Sequence, residues 1–166
     1  MRRSRLWIAI GCWLAVGSLA LSGTTRRKAG LWETTTTMTW QKTPAVPGEQ
    51  PEKLRGGTHT SQTCLTQAMI DDYGALLPQS RGSCAIENKV MTAEKVTGDY
   101  VCSGLMTGRG RLESSWTDAD HVTGKVHFVG TFLVGSEPQP IEWTTETTSV
   151  FKSSSCGFVK PKPMPK

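Results

Sequence analysis

Residues 105–133, LMTGRGRLESSWTDADHVTGKVHFVGTFL, contain the pattern that decides the fold of this chain. Two runs within it, 105–117 and 121–133, alternate between apolar and polar residues, as β-strands with one buried face do. Folded back on each other around residues 118–120, the two runs satisfy both faces of an antiparallel hairpin in a single register. The predicted cross-strand pairs are Met106 with Phe132, Gly110 with Phe128, Leu112 with Val126 and Trp116 with Val122 on the apolar face, and Arg111 with His127 and Glu113 with Lys125 on the polar face.

Glycine residues gather on the apolar face of this hairpin. They are Gly108, Gly110, Gly124 and Gly130, and Gly98 falls in phase with Tyr100 and Cys102 in the preceding run. Glycine on the inner face lets an antiparallel sheet bend strongly. The pattern therefore has two interpretations. The glycines serve curvature alone, which is their commoner use, or they also leave a hollow for a ligand.

Similar alternation recurs outward from the hairpin in both directions. The runs are GLWETTTTMTWQ at 30–41, THTSQTCL at 58–65, CAIENKVM at 84–91, VTGDYVC at 96–102 and IEWTTETTSVFK at 141–152. Residues 42–57 are rich in proline, glycine and charge and predict a long loop. One helix is predicted over 67–77, because Thr66 stands at its N-cap and an apolar stripe follows. That stripe consists of Met69, Ile70, Tyr73, Leu76 and Leu77, and Pro78 ends the helix.

The predicted fold is mainly β: an antiparallel meander of about seven strands that forms a curved sheet or an open barrel, with one short helix. We assign residues 30–157 to a single β domain. The chain of 166 residues is too short for a TIM barrel or for two domains of ordinary size.

The N-terminus has the three parts of a secretory signal peptide, which we predict over residues 1–22. A basic segment precedes an apolar stretch from Leu6 to Leu21, and small residues follow. Cleavage after Ala20 and cleavage after Ser22 fit the small-residue rule about equally well. The apolar stretch is short for a membrane span, so we expect no stable span after cleavage. Residues 23–29 are then a basic tail, and residues 158–166 are a tail rich in proline and lysine.

The formal net charge of +5 is concentrated at the two ends of the chain. Nine of the 19 basic residues flank the apolar stretch or lie in the C-terminal tail, which leaves 10 basic residues against 14 acidic ones. The body of the chain therefore carries a charge near −4, from 10 − 14. It has no basic stripe with interleaved aromatic residues, and we expect no nucleic-acid partner.

Four cysteines, Cys64, Cys84, Cys102 and Cys156, remain once Cys12 is removed with the signal peptide. An even number in an exported chain predicts disulfides and a periplasmic or secreted location. If the helix carries the chain from one end of the sheet to the other, strand parity brings Cys84 beside Cys102. The last strand then returns Cys156 to Cys64. If the helix does not cross, Cys102 and Cys156 lie at opposite ends, and joining the other two would leave them unpaired. We therefore predict disulfides Cys64 to Cys156 and Cys84 to Cys102.

No catalytic constellation is present in the sequence, which has no nucleophile elbow, no phosphate-binding glycine loop and no Cys-x-x-Cys pair. His121 and His127 would lie about 20 Å apart along one strand, so they cannot bind one metal ion together. Asp71 and Asp72 are neighbours on the helix and point about 100° apart, which does not suit a general acid and base. We therefore expect no enzyme, no catalytic residue, no metal site and no cofactor.

A set of segments anchored on the cysteines forms a pattern of its own. The segments are the signal peptide, KAGLWETTTTM, TCLT before the helix, SCAIENKV, YVCSGLMTGRG and SSSCG, together spanning roughly residues 28–157 after the signal. As a set they resemble the bacterial envelope family called domain of unknown function 3617. Members of that family usually open their domain with Pro-Gly-Leu-Trp-Glu, and this chain has Ala29 in place of the proline. The resemblance implies an exported, mostly periplasmic Gram-negative protein and carries over no catalytic residue.

Two functional hypotheses follow from these patterns. The first is a non-enzymatic exported envelope protein that binds an apolar or amphipathic ligand in the concave face of the sheet, because apolar burial is the driving force that the composition leaves. The expected ligand-binding residues are Met69, Tyr73 and Leu77 of the helix and Trp116, Phe128 and Trp143 of the sheet. The second is a structural or protein-interaction module without a small-molecule ligand, whose Thr-rich edge strands and 42–58 loop contact an envelope protein.

Overall fold

The computed structural model describes residues 27–45, 56–74 and 83–161 of the chain. Its elements are β1 (Gly30–Lys42), β2 (Thr58–Leu65), α1 (Gln67–Tyr73), β3 (Cys84–Met91), β4 (Lys95–Ser103), β5 (Met106–Ser115), β6 (His121–Val134) and β7 (Glu137–Ser153). The seven strands form one antiparallel sheet in the order β2-β1-β7-β6-β5-β4-β3. The sheet is open, with β2 and β3 as its edges, and does not close into a barrel. The predicted fold class is confirmed in this open form.

The two ends of the sheet are defined by where the strands begin and end. β1 begins beside the end of β2 and the end of β7, through the pairs of Leu31 with Cys64 and with Ser153. β3 begins at the opposite end, where Cys84 pairs with Cys102. We call the first the helix end, because α1 follows β2 there, and the second the far end. The connection from Leu65 to Cys84 therefore crosses the sheet from end to end, which is the condition on which the predicted disulfide pairing depends.

The register of the β5–β6 hairpin is the predicted one. Met106 pairs with Phe132, Gly110 with Phe128, Leu112 with Val126, Arg111 with His127 and Glu113 with Lys125. Trp116 lies just beyond β5, and it packs in the same buried cluster as Val122. The ammonium group of Lys125 contacts Glu146 Oε1 at 2.9 Å, because Glu146 lies directly opposite it on β7. Glu113 on β5 also lies opposite Lys125, but the ion pair of Lys125 is with Glu146.

At the glycines of the apolar face, an aromatic ring or a neighbouring strand fills the space that a side chain would need. A Cβ atom at Gly130 would lie 2.8 Å from Cε1 of Phe128, and one at Gly108 would lie 2.9 Å from Cζ of the same ring. A Cβ atom at Gly110 would lie 2.6 Å from the carbonyl oxygen of His127 on β6. Since Phe128 is fully buried, the space over Gly108 and Gly130 is filled by its ring. Packing and curvature account for these glycines.

The helix covers only the helix end of the concave face. Thr66 caps it as predicted, since Thr66 Oγ1 accepts a hydrogen bond from the backbone N–H of Met69 at 3.2 Å. Met69 and Ile70 are buried in a group of side chains that we call the helix cluster. The cluster consists of Trp32, Leu65, Met69, Ile70, Val96, Trp116 and Val122.

The helix is shorter than the predicted 67–77. It ends at Tyr73, because Gly74 adopts the left-handed conformation with φ of 70° and donates its N–H to the carbonyl of Ile70 at 2.7 Å. The helical stripe was expected to continue to Leu76 and Leu77, which lie outside the described residues. Glycine at this position is the local signal that stops the helix early.

The first two described residues belong to the folded domain, although the sequence placed them in a basic tail. Arg27 is buried, and its guanidinium lies 3.3 Å from the ring centroid of Trp116. Burial lowers the pKa of Arg27 to about 10. Lys28 pairs with Asp120 at 2.8 Å, and its carbonyl accepts the indole N–H of Trp32 at 2.9 Å. The residues predicted as signal peptide, 1–22, lie outside the described residues.

The turn between β5 and β6 is closed by a carboxylate. Asp118 Oδ1 accepts the backbone N–H groups of Asp120 and His121, each at 2.7 Å. The ring of His121 places Nδ1 2.9 Å from Asp118 Oδ2. The hydrogen bond from Asp120, followed by those from His121, lowers the pKa of Asp118 below its ordinary value of 3.8.

Two disulfides lie at opposite ends of the sheet, as the parity argument predicts. Cys64 joins Cys156 at the helix end, with a Cα–Cα distance of 5.5 Å. Cys84 joins Cys102 at the far end, where the two residues face each other across β3 and β4. Each edge strand is therefore tied covalently to another part of the chain.

We expect Gly110→Ala to destabilise the protein by about 1 to 3 kcal/mol, because even one methyl group would press on the backbone of β6. The matched control is Gly57→Ala, where an added Cβ atom meets nothing within 4 Å. Lys125→Ala removes only an exposed ion pair and should cost at most about 1 kcal/mol. Urea unfolding of the variants checks this. A neutral Gly110→Ala beside a severe Lys125→Ala would mean that the two faces have been assigned the wrong way round.

We expect the two disulfides to differ in their contribution to stability. They close separations of 92 and 18 residues, and constraint of the unfolded chain then gives about 4.5 and about 3 kcal/mol. Unfolding of the paired Cys64→Ser, Cys156→Ser variant should therefore occur at lower urea concentration than unfolding of the Cys84→Ser, Cys102→Ser variant. Peptide mapping without reduction should recover the same two linkages. A fragment in which Cys64 is linked to Cys84 would contradict the structure.

The lowered pKa of Asp118 predicts a pH dependence of stability. A carboxylate whose pKa is lower in the folded state stabilises the fold above its unfolded pKa, and that contribution is lost as the pH falls through the folded pKa. The difference in stability between the wild-type protein and Asp118→Asn should thus be constant above about pH 5 and shrink below about pH 4. Titration of the Asp118 carboxyl carbon by NMR tests the direction of the shift. A midpoint above 3.8 would contradict it.

Candidate binding face on the concave side of the sheet

One row of side chains crosses the concave face from β1 to β3. In this row Trp40 pairs with Trp143, Trp143 with Phe128, Phe128 with Gly110, Gly110 with Tyr100, and Tyr100 with Ile86. Each of these residues sits at the inward position of its strand, because the pleat alternates side chains between the faces. We call this row, with its glycine, the aromatic row.

The three central rings of the aromatic row contact one another. Phe128 and Trp143 are stacked with ring centroids 5.2 Å apart. Tyr100 meets Phe128 edge to face at 6.1 Å and meets Trp143 edge to face at 6.3 Å. The strands that carry Tyr100 and Trp143 are three positions apart, which would be about 14 Å in a flat sheet. The sheet is therefore bent, and the two rings lean toward each other over Gly110.

The interior and the two ends of the aromatic row differ in exposure. Tyr100, Phe128 and Trp143 are all buried. Trp40 and Ile86 at its ends are only partly buried and pack against the buried cluster that contains the three central rings, as do Met38 and Met106. The row thus presents a filled centre with apolar edges that reach solvent.

The far end of the sheet carries exposed apolar side chains on both faces, with Phe132 at an inward position of β6 and Leu133 at an outward one. Phe132 and Leu133 on β6 are 36% and 37% exposed, and Leu105 in the turn before β5 is 69% exposed. The backbone N–H of Leu133 donates to the carbonyl of Leu105 at 2.9 Å, so these two residues are neighbours.

The six side chains predicted to bind a ligand do not form one site. Met69 and Trp116 belong to the helix cluster, whereas Phe128 and Trp143 lie in the aromatic row. Tyr73 is half-buried, with the ammonium group of Lys89 4.5 Å from its ring centroid. Leu77 lies outside the described residues. The short helix explains this division, because it packs at one end of the sheet and leaves the aromatic row to the strands.

Two aromatic residues of the row, Trp40 and Tyr100, were absent from the predicted site. Both stand at inward positions of alternating runs, so the signal was present in the sequence. The alternation did not show that they share a row with Trp143. For Trp40 this depends on the pairing of β1 with β7, and for Tyr100 on the successive pairings from β4 to β7. In contrast, Trp116 is a structural residue, since its indole N–H donates to the carbonyl of Ala93 at 2.6 Å.

The convex face is polar and carries paired charges. Exposed ion pairs join His127 to Glu142 at 2.9 Å and Lys152 to Glu33 at 3.1 Å. A shallow hollow of about 270 Å³ lies on this face, and its lining includes Glu113, Ser115, Lys125 and Glu146. Charged and hydroxylated side chains line this hollow, which is separate from the aromatic row.

Neither a metal-binding cluster nor a membrane-spanning helix is found in the described ranges 27–45, 56–74 and 83–161. No group of three or more histidine, cysteine, aspartate or glutamate side chains in these ranges is placed to hold a metal ion. No helix in the same ranges is long and apolar enough to cross a membrane.

The fold and its faces define an open, one-sheet antiparallel β protein with a disulfide at each end. The chain belongs to the family described as protein of unknown function DUF3617, whose model matches residues 27–156. The match begins at Arg27, which is also the first residue that the structure describes. No curated protein and no solved structure matches the chain.

Proposed function

We propose that this is an exported, non-enzymatic envelope protein that binds an apolar or amphipathic ligand along its aromatic row. The observation that carries the proposal is the row itself, which crosses six of the seven strands without a charged side chain. Its ends at Trp40 and Ile86 are partly exposed. A ligand that lies against these ends would extend a surface whose centre is already packed.

The two neighbouring rows of the concave face support an apolar ligand. On one side, Met38 pairs with Thr145 and Val126 pairs with Leu112. On the other side, Ile141 pairs with Gly130. These pairs carry no charge, so a ligand that contacts them would gain free energy from apolar burial. The hydroxyl of Thr145 is a polar group that an amphipathic ligand could use.

The proposal also includes a location outside the cytoplasm and a role without catalysis. Two disulfides favour an oxidising location outside the cytoplasm, and the apolar segment after Arg5 supports export through a signal peptide. The non-enzymatic role rests on the sequence, which has no nucleophile elbow, no phosphate-binding glycine loop and no Cys-x-x-Cys pair.

The test is a thermal melt with a defined apolar probe, followed by circular dichroism. N-phenyl-1-naphthylamine and a monomeric lysophospholipid should each raise the melting temperature of the oxidised protein. At a concentration 100 times Kd, the stabilisation is about 2.7 kcal/mol, or roughly 10 °C for a domain of this size. Trp40→Ala should reduce the shift while leaving the fold intact, because Trp40 lies at the edge of the row. Trp143→Ala should abolish it.

The matched control is Val129→Ala, which trims an exposed apolar side chain on the convex face. It should leave the shift unchanged. If neither probe raises the melting temperature of the wild-type protein, the ligand proposal fails. If Val129→Ala reduces the shift as much as Trp40→Ala does, the probe binds elsewhere.

A further inference from the structure

The two edge strands of the sheet, β2 and β3, differ in regularity and in charge. β3 is irregular, with a register shift between Glu87 and Val90 and a left-handed backbone at Asn88, whose φ is 49°. It also carries the charged Lys89. Bulges and charges of this kind keep an edge strand from pairing with another chain.

β2 has none of these features. Its sequence, THTSQTCL, contains no proline, no glycine and no permanently charged side chain. Thr58, His59, Thr60 and Gln62 are exposed, and the pairs with β1 continue without interruption from Thr37 with Thr58 to Gly30 with Leu65. The outer edge of such a regular strand presents unpaired backbone groups to solvent.

The chain itself occupies only one part of that edge among the described residues. Pro161 forms a parallel bridge with Cys64 on the outer side of β2. Any further strand must therefore pair on the N-terminal side of Cys64, along Thr58–Gln62. Thr60 is the centre of that free segment.

We propose that this segment is an interface with a second copy of the chain, formed by antiparallel pairing of β2 with β2 across a twofold axis at Thr60. The same strand from two copies meets antiparallel when a twofold axis relates them. Thr58 then faces Gln62, His59 faces Ser61, and Thr60 faces its own copy. No two like charges are opposed in this register.

The side-chain chemistry of β2 suits this pairing. Within one copy, Thr35 and Thr60 already share a hydroxyl–hydroxyl hydrogen bond of 3.0 Å, and Thr37 and Thr58 share one of 2.9 Å. Pairing of Thr60 with Thr60 would repeat this contact between copies. The row of Thr60, Thr35, Thr148, Thr123 and Ser115 on the convex face would then continue from one copy into the other.

The interface is weak because it is short. Five paired residues per copy bury much less than the roughly 1,000 Å² of a stable interface. We therefore expect a reversible dimer with a dissociation constant on the order of 100 µM. A concentrated compartment or a shared surface would favour it.

The experiment is sedimentation velocity on the oxidised protein from 10 µM to 1 mM, with a charge exchange at Thr60. Thr60→Lys should weaken self-association at least tenfold, because two ammonium groups would meet at the axis. Thr60→Glu should do the same. An equimolar mixture of the two variants should restore the dimer. Thr148→Lys is the matched control, because Thr148 is an exposed threonine of the same face on an interior strand, and it should leave self-association unchanged.

Hydrogen exchange gives a second readout at the site itself. Exchange of outward-facing amides within 58–62 should slow as the concentration rises. A protein that stays monomeric to 1 mM would overturn the proposal. So would a dimer that Thr60→Lys does not weaken, or one that the mixed variants do not restore. Protection of 58–62 by an added extended peptide without self-association would also overturn it, since the partner would then be a different chain.

Discussion

The apolar face of a one-layer sheet has to be buried by the sheet itself wherever no second layer covers it, and the packing of Phe128 meets that constraint. Its ring lies where side chains at Gly108 and Gly130 would otherwise stand. Trp143 stacks on the ring, and Tyr100 meets it edge to face. The bend of the sheet, the approach of β5 to β6 and the aromatic row all depend on glycine at these inward positions.

The two faces contribute to the protein in different ways. The concave face holds the buried aromatic and aliphatic side chains, which supply most of the favourable free energy of folding. The ion pairs of the convex face are exposed, and pairs of that kind contribute little each. Arg27 is the exception among the charges, because it is buried against Trp116 and closes the helix end of the core.

The disulfides and the edges are related. An edge strand has a neighbour on one side only, so it has fewer hydrogen bonds to hold it. Cys84 to Cys102 ties β3 to β4, and Cys64 to Cys156 ties β2 to the segment after β7. The two least supported strands are thereby the two that carry covalent links.

Much of the fold is determined by local pattern. The alternation of residues 105–133 set the strands and the register of β5 with β6, because only one register satisfies both faces. Thr66 marked the start of the helix through its capping hydroxyl. Strand parity predicted the pairing of the four cysteines on the condition that the connection through the helix crosses the sheet, and it depends on the number of strands and not on their order.

The composition of the candidate site was decided by tertiary structure. Alternation has the same period in every strand, so it states which residues point inward and does not state which strands are neighbours. The pairing of β1 with β7 brought Trp40 beside Trp143, while the early end of the helix at Gly74 separated Met69 and Tyr73 from the aromatic row. The burial of Arg27 against Trp116 and the ion pair between Lys125 and Glu146 likewise depend on residues that are far apart in the sequence. The sequence by itself determined which side chains lie on which face of the sheet. Only the long-range order of the strands decided which of those side chains are neighbours in one row.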